Sequence, residues 1–169
     1  MEIKQSTIDD IDGIFRLYAL AAEYQREKKK VIVWPVFERA LVETEIQENR
    51  QWKIMIDGVI ACVWATTFSD EKIWESRNAD PAVYIHRIAT NPLYRGQKFV
   101  TLIVDWARQF AKQHHKGFIR LDTIGNNEGL IRHYQEAGFT SLGLHNLSST
   151  EGLPPHYKVA PACLCEIRI

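Results

Sequence analysis

The chain has 169 residues, 46% apolar and 25% charged, which suits one ordinary domain with a sizeable core. Its 21 basic and 21 acidic residues cancel, arguing against a general nucleic-acid binder, a polybasic membrane anchor or an acidic tail. Five Trp, six Tyr and seven Phe are too many large side chains for a disordered chain.

Glu2 to Ser6 reads as a short strand. Thr7 then caps a helix with Asp10 as capping-box partner, and Ile8, Ile11, Phe15, Tyr18 and Ala22 form its buried stripe. The charged run Arg26 to Lys30 reads as the solvated end of that helix, where cations are favoured. Trp34-Pro35 opens a second helix, with Phe37, Ala40, Leu41 and Thr44 on one side. Two strands follow, Gln51 to Ile56 and Val59 to Phe68, joined by the hairpin signal Asp57-Gly58.

Ser69 to Asp80 is polar and reads as a loop, and Pro81 introduces a strand from Ala82 to Thr90. A turn at Asn91-Pro92 leads through Arg95-Gly96 into a long amphipathic helix with Phe99, Leu102, Ile103, Trp106 and Phe110 inward. After Gly117 comes a strand, Phe118 to Thr123. Asn126 or Asn127 caps a helix carrying Leu130, Ile131 and Tyr134, and Gly138 closes it. Strands near Phe139 to His145 and Ala162 to Ile169 end the chain. The order β-α-α-β-β-β-α-β-α-β-β predicts an α/β fold: one mixed sheet with helices on both faces in a single domain spanning residues 1–169. The unit from Ala82 to Thr123 is long enough for a parallel crossover.

Cys62, Cys163 and Cys165 are odd in number and lack zinc-site spacing, so they read as plain thiols of a reduced, cytoplasmic protein. Met1 to Ser6 alternates polar and apolar residues, unlike a secretory signal. Gly58 to Ser69 is well short of the roughly 20 apolar residues of a spanning helix.

The segment from Ile88 to Val100 carries the strongest chemical signal. A strand ends, a tight turn follows, and a helix begins behind Arg95 and Lys98, with no acid between Asn91 and Asp105. Unpaired first-turn amides and the helix dipole make such a place a seat for phosphate. An ordinary strand-to-helix connection with exposed cations fits that segment equally well. Further on, Asn127, Tyr134 and Gly138-Phe139 give the pattern N-x6-Y-x3-G-F.

Together these stretches resemble the GCN5-related N-acetyltransferase family, and the element order resembles it over nearly the whole chain. The resemblance implies a twisted, mostly antiparallel sheet of about seven strands that splays beside the fourth. It also implies acetyl-CoA as co-substrate, its pyrophosphate on the amides of Arg95, Gly96, Gln97, Lys98, Phe99 and Val100. Its pantetheine arm would pair with Ile88, Ala89 and Thr90, with Asn127 also in the cofactor site. Of the family pattern Q/R-x-x-G-x-G/A only Arg95 is kept. Lys98 stands at the first glycine and Val100 at the second small position, so two side chains are expected to crowd the pyrophosphate.

The implied reaction is direct attack of a neutral amine on the thioester in a ternary complex. A backbone N–H near Ile88 or Ala89 would face the oxyanion. Tyr134 matches the family's general acid; an ordinary phenol (pKa about 10) protonating a thiolate (about 8.5) is uphill by ~2 kcal/mol, so Tyr134 is acidified or acts as a hydrogen-bond donor. His86 falls at the position of the family's base; it reads equally as a base working through a water and as a packed strand histidine. Asp122 is a weaker candidate base, and Tyr84 would line the acceptor pocket. His114, His115 and His133 read as exposed. This chemistry implies no metal. The acceptor is a small-molecule or peptide amine, expected at the segments Glu23 to Trp34, Ser69 to Asp80 and around Leu153 to Tyr157. A homodimer is compatible with such folds, and no nucleic-acid or membrane partner is expected. The alternative is a non-catalytic acyl-CoA-binding or protein-interaction module, which the changes at Lys98 and Val100 keep open.

Overall fold

Turn chemistry sets the strand boundaries in the computed structural model, which describes residues 1–169. Asp57 and Gly58 both take positive φ, 49° and 78°, as a two-residue hairpin requires. They join β2 (Gln51–Ile56) to β3 (Val59–Thr67). β4 (Ala82–Thr90) runs between Pro81 and Asn91-Pro92 over the expected residues. With β1 (Glu2–Gln5), β5 (Phe118–Ile124), β6 (Thr140–His145) and β7 (Ala162–Arg168), the strands form one sheet in the order β1-β2-β3-β4-β5-β7-β6. β4 and β5 pair in parallel, Ala82 to Tyr84 against Phe118 to Arg120. The pairs β1/β2, β2/β3, β5/β7 and β6/β7 are antiparallel.

The helices are α1 (Ile11–Glu27), α2 (Arg39–Gln47), α3 (Glu71–Trp74), α4 (Phe99–Gln113) and α5 (Glu128–Glu136). The capping box forms, with the Thr7 amide donating to Asp10 Oδ2 at 2.7 Å. Three readings of helices are corrected. In α1 the buried stripe is Ile11, Ile14, Leu17, Tyr18 and Ala22; Ile8 lies in a preceding 3-10 turn and is 54% exposed. The second helix starts at Arg39, not at Pro35, because Glu38 is still extended. Its buried residues are Val42, Glu45 and Ile46, while Leu41 is exposed. The stretch from Ser69 to Asp80 is not all loop: it contains α3 and a 3-10 turn, and buries Ile73 and Trp74.

The inner face of α4 also differs. Phe99 and Ile103 are buried as expected, together with Val100, Val104, Ala107 and Ala111, whereas Leu102 is half-buried and Trp106 and Phe110 are half-exposed and stack at 4.8 Å. Phe110 further stacks on Phe68 at 5.9 Å. Trp106 and Phe110 thus lie beside the core, while the small Ala107 and Ala111 allow close packing within it.

The chain groups into two compact units, Met1–Thr66 with His86–Phe99, and Thr67–Ile85 with Val100–Ile169. The first encloses a core of Ile11, Ile14, Leu17, Tyr18, Phe37, Val42, Ile46, Val63 and Ala89. The second contains Arg120, whose side chain is 1% exposed. Its guanidinium lies 4.6 Å from the rings of both Trp74 and Phe118. It donates to Asp80 Oδ2 (2.6 Å), Glu166 Oε2 (3.0 Å), the Arg77 carbonyl (2.6 Å) and the Tyr84 hydroxyl (3.4 Å). Removing such a charge leaves its partners without compensation. Arg120→Met is expected to lower unfolding free energy by about 3 kcal/mol in urea titrations, and Arg120→Lys by less.

Candidate active site

The candidate residues divide between the two units. His86, Ile88 to Thr90 and Arg95 to Phe99 belong to the first, and Val100, Asn127 and Tyr134 to the second. In the first, β4 does not continue as a regular strand. Arg87 takes φ 52°, a left-handed backbone rare for a side chain other than Gly or Asn, and the order of burial changes there. His86 and Ile88 are half-buried, Ala89 is buried in the core, and the Thr90 hydroxyl lies 3.6 Å from Cys62 Sγ.

Asn91 ties the end of β4 to β3. Its amide donates to the Ala61 carbonyl (2.8 Å) and its side-chain nitrogen to the Ile60 carbonyl (3.2 Å). Its side-chain oxygen caps the 3-10 turn Pro92–Tyr94 through the Leu93 amide. In the sequence Asn91 marks only a turn; its anchoring role follows from both ends of its side-chain amide being engaged. Beyond it Arg95, Gly96, Gln97 and Lys98 are exposed, and α4 starts at Phe99. The Arg95 guanidinium lies 4.4 Å from the Tyr24 ring.

Lys98 stands in a left-handed backbone. Its φ is 53°, so the position requires a left-handed residue and lysine occupies it under strain. Gly96, φ 85°, supplies a second left-handed residue two places earlier. Val100 is 7% exposed, so its side chain packs inward in the first turn of α4, leaving Lys98 as the exposed one of the two replacements.

In the second unit Asn127 is the N-cap of α5: its Oδ1 accepts from the Leu130 amide at 3.3 Å. That occupies the oxygen and leaves the side-chain NH2 as a donor. Tyr134 is half-buried, and its ring meets Phe139 edge-on with centroids 6.0 Å apart. Asp122 Oδ2 accepts from the Tyr157 hydroxyl at 2.8 Å. Tyr84 does not line an open pocket; it is fully buried and bound to Arg120. His114, His115 and His133 are exposed, as expected. An open cavity of about 300 Å³ lies along α5 and β6, with Ile131, Arg132, Gln135, Ser141, Leu144 and Cys163 in its lining; neither Tyr134 nor Asn127 belongs to it.

The three cysteines are free and buried, and burial pushes the thiols of Cys62 and Cys165 up to about 12, so both stay protonated at neutral pH.

Two of the segments expected to meet the acceptor are cross-linked by polar contacts. Glu75, at the end of α3 with φ 46°, accepts from the Ser148 amide at 2.8 Å and pairs with His145 Nε2 at 2.8 Å. Lys72 Nζ donates to the Glu151 carbonyl at 3.1 Å. Hydrogen bonds from Ser148, and then from His145, hold the Glu75 carboxyl down to about 2.

With these geometries in place, comparison with known proteins gives a consistent answer. The sequence pattern of the Acetyltransferase (GNAT) family matches residues 12–139, and the chain belongs to that family. YesJ of Bacillus subtilis strain 168, an uncharacterized N-acetyltransferase, is 26% identical over 86 residues, 51% of this chain and 48% of that protein. The match therefore spans about half the length of that curated relative. Among solved structures, a GNAT-family acetyltransferase from Listeria monocytogenes 4b F2365 superposes with TM-score 0.79 at 21% identity, covering 99% of this chain and 94% of that one. yncA from Salmonella typhimurium with its cofactor acetyl-CoA gives 0.70 at 11% identity, over 99% and 93%. These likenesses bear out the expected fold: a seven-stranded, mostly antiparallel sheet with helices around it.

Two predictions follow from local geometry. Lys98→Gly removes a left-handed side chain, and despite the entropy of glycine it is expected to raise stability by roughly 0.5–1 kcal/mol in urea titrations. Glu75 has a depressed pKa, so its contribution is complete above the ordinary 4.5 and is lost as pH falls toward about 2. Wild type is expected to exceed Glu75→Gln in thermal stability at neutral pH, with the difference closing as acid is added through that window.

Proposed function

We propose that the chain is an acetyl-CoA-dependent N-acetyltransferase, residues 1–169 working as one catalytic domain in the cytoplasm. The observation that carries the reading is the exposed turn from Arg95 to Lys98, which delivers two cations and two left-handed residues to the start of α4. First-turn amides without intrahelical partners are then available to a pyrophosphate. The inward packing of Val100 supports the fit, because only Lys98 of the two replaced positions stands at the surface, and its charge suits an anion.

In this reading Ile88, Ala89 and Thr90 pair with the pantetheine arm, and the amides of Arg95 through Val100 receive the phosphates. Asn127 contributes its free side-chain NH2. A primary amine of a small molecule or peptide forms the new C–N bond as the C–S bond breaks. His86 takes the amine proton, directly or through a water, and the Ile88 or Ala89 amide faces the charge growing on the carbonyl oxygen. Tyr134 gives a hydrogen bond or a proton to the departing thiolate.

The test is calorimetric titration with acetyl-CoA, with CoA and ATP as comparison ligands, followed by thiol release over a panel of amines. Micromolar binding, about −8 kcal/mol, is expected. Tyr134→Phe should lower kcat on the order of 10²-fold with acetyl-CoA affinity retained. No binding at millimolar acetyl-CoA would overturn the reading, and unchanged turnover by Tyr134→Phe across pH would remove the general acid.

A further inference from the structure

We propose that the buried ion pair of Arg87 with Glu45 is a positioning device: it holds β4 in its left-handed kink and so aims the amides of Ile88 and Ala89. The inference rests on the acetyltransferase reading, in which those amides face the thioester carbonyl.

A nine-residue strand with arginine at φ 52° needs something to keep it from relaxing into regular pleat. The side chain of Arg87 is where that force acts. It is 13% exposed, its Nη2 donates to Glu45 Oε1, its Nε donates to the Tyr18 hydroxyl at 3.4 Å, and its guanidinium lies 5.4 Å from the Phe37 ring. Glu45, 5% exposed on α2, also lies 3.9 Å from Arg50. The Tyr18 hydroxyl, on α1, takes a second hydrogen bond from Gln51 of β2 at 3.5 Å. One residue of β4 is thus fastened to α1 and α2 and, through Tyr18, to β2, directly beside the amides in question.

The cluster is also poorly suited to stability alone. Glu45 Oε2 and Gln51 Oε1 are buried without hydrogen-bond partners, an unfavourable arrangement that an apolar pair would avoid. What an apolar pair would not supply is direction. A guanidinium held by fixed acceptors sets the orientation of its own backbone, and the peptide planes that follow take their orientation from it.

The experiment uses acetyl-CoA labelled with 13C at the thioester carbonyl, whose bound resonance reports hydrogen bonding to the oxygen without need of an acceptor. Wild type is compared with Glu45→Met/Arg87→Met, which removes both charges together, and with Glu45→Gln, which keeps the shape and decides the matter if the double variant does not fold. Wild type is expected to bind acetyl-CoA and move the resonance downfield. The variants should bind about as tightly yet lose most of that displacement, and with any amine that turns over, kcat should fall on the order of 10²-fold at nearly constant KM for acetyl-CoA. A folded variant that keeps the wild-type displacement overturns the positioning role and leaves the acetyltransferase reading intact. Wild type that binds without displacement overturns the positioning role and, with it, the placement of the Ile88 and Ala89 amides on the carbonyl, whereas wild type that binds no acetyl-CoA overturns the whole reading and this inference with it.

Discussion

A guanidinium taken out of water must keep carboxylates close, because the desolvation of an unpaired charge is larger than most other local terms. Each compact unit contains one such group. Arg87 binds α1 and α2 to β4, while Arg120 binds β5 to β7 through Glu166 and to the segment before β4 through Asp80 and the Arg77 carbonyl. β4 passes through both units and is fixed by a different arginine in each: Tyr84 hydrogen-bonds Arg120, and Arg87 is itself the second anchor. The change of partner occurs between those two positions, and the left-handed residue marks it.

The turn from Arg95 to Lys98 obeys a backbone constraint of a different kind. A strand that must reverse into a helix within a few residues needs left-handed positions, and glycine is their usual occupant. Here one of them is Gly96 and the other is Lys98. The position keeps its conformation while the side chain changes, so amides can remain available where the glycine is missing. Val100 is a separate matter: its side chain is taken up by the core, and its difference from a smaller residue is absorbed in packing.

Much of this was legible in the sequence where chemistry is local. Asp57-Gly58, Pro81 and Asn91-Pro92 punctuate the strands, and β2 and β4 have their expected bounds. Asn127 was readable as a cap because its side chain acts within three residues. The inward face of α4 was readable only in part: Phe99 and Ile103 are buried, but periodicity marks Trp106 and Phe110 as large apolar groups without telling that they stack beside the core. Pro35 suggested a helix start because proline suits the first turn, yet the chain stays extended through Glu38. The Glu45–Arg87 pair had no signal at all: it joins residues 42 apart, and both types ordinarily face solvent. Left-handed backbone at Arg87 was equally hidden, because only glycine or asparagine would have announced it.

The segments around α3 and the late loop are held differently from the core, and the difference bears on what an acceptor would meet there. Glu75 with Ser148 and His145, Lys72 with the Glu151 carbonyl, and Tyr157 with Asp122 are polar contacts, two of them exposed and two part-buried. Contacts of this kind are individually weak and compete with water, in contrast to the burial that fixes Ile73 and Trp74 nearby. Local opening therefore costs less in the late loop than in the sheet beneath it. Three hydrogen-bonded points still limit how the loop can move, since they tie it to Lys72 of α3, to Glu75 just after α3 and to Asp122 of β5. Core burial and a charged hub thus fix the strands, while the loop is held by polar contacts that compete with water.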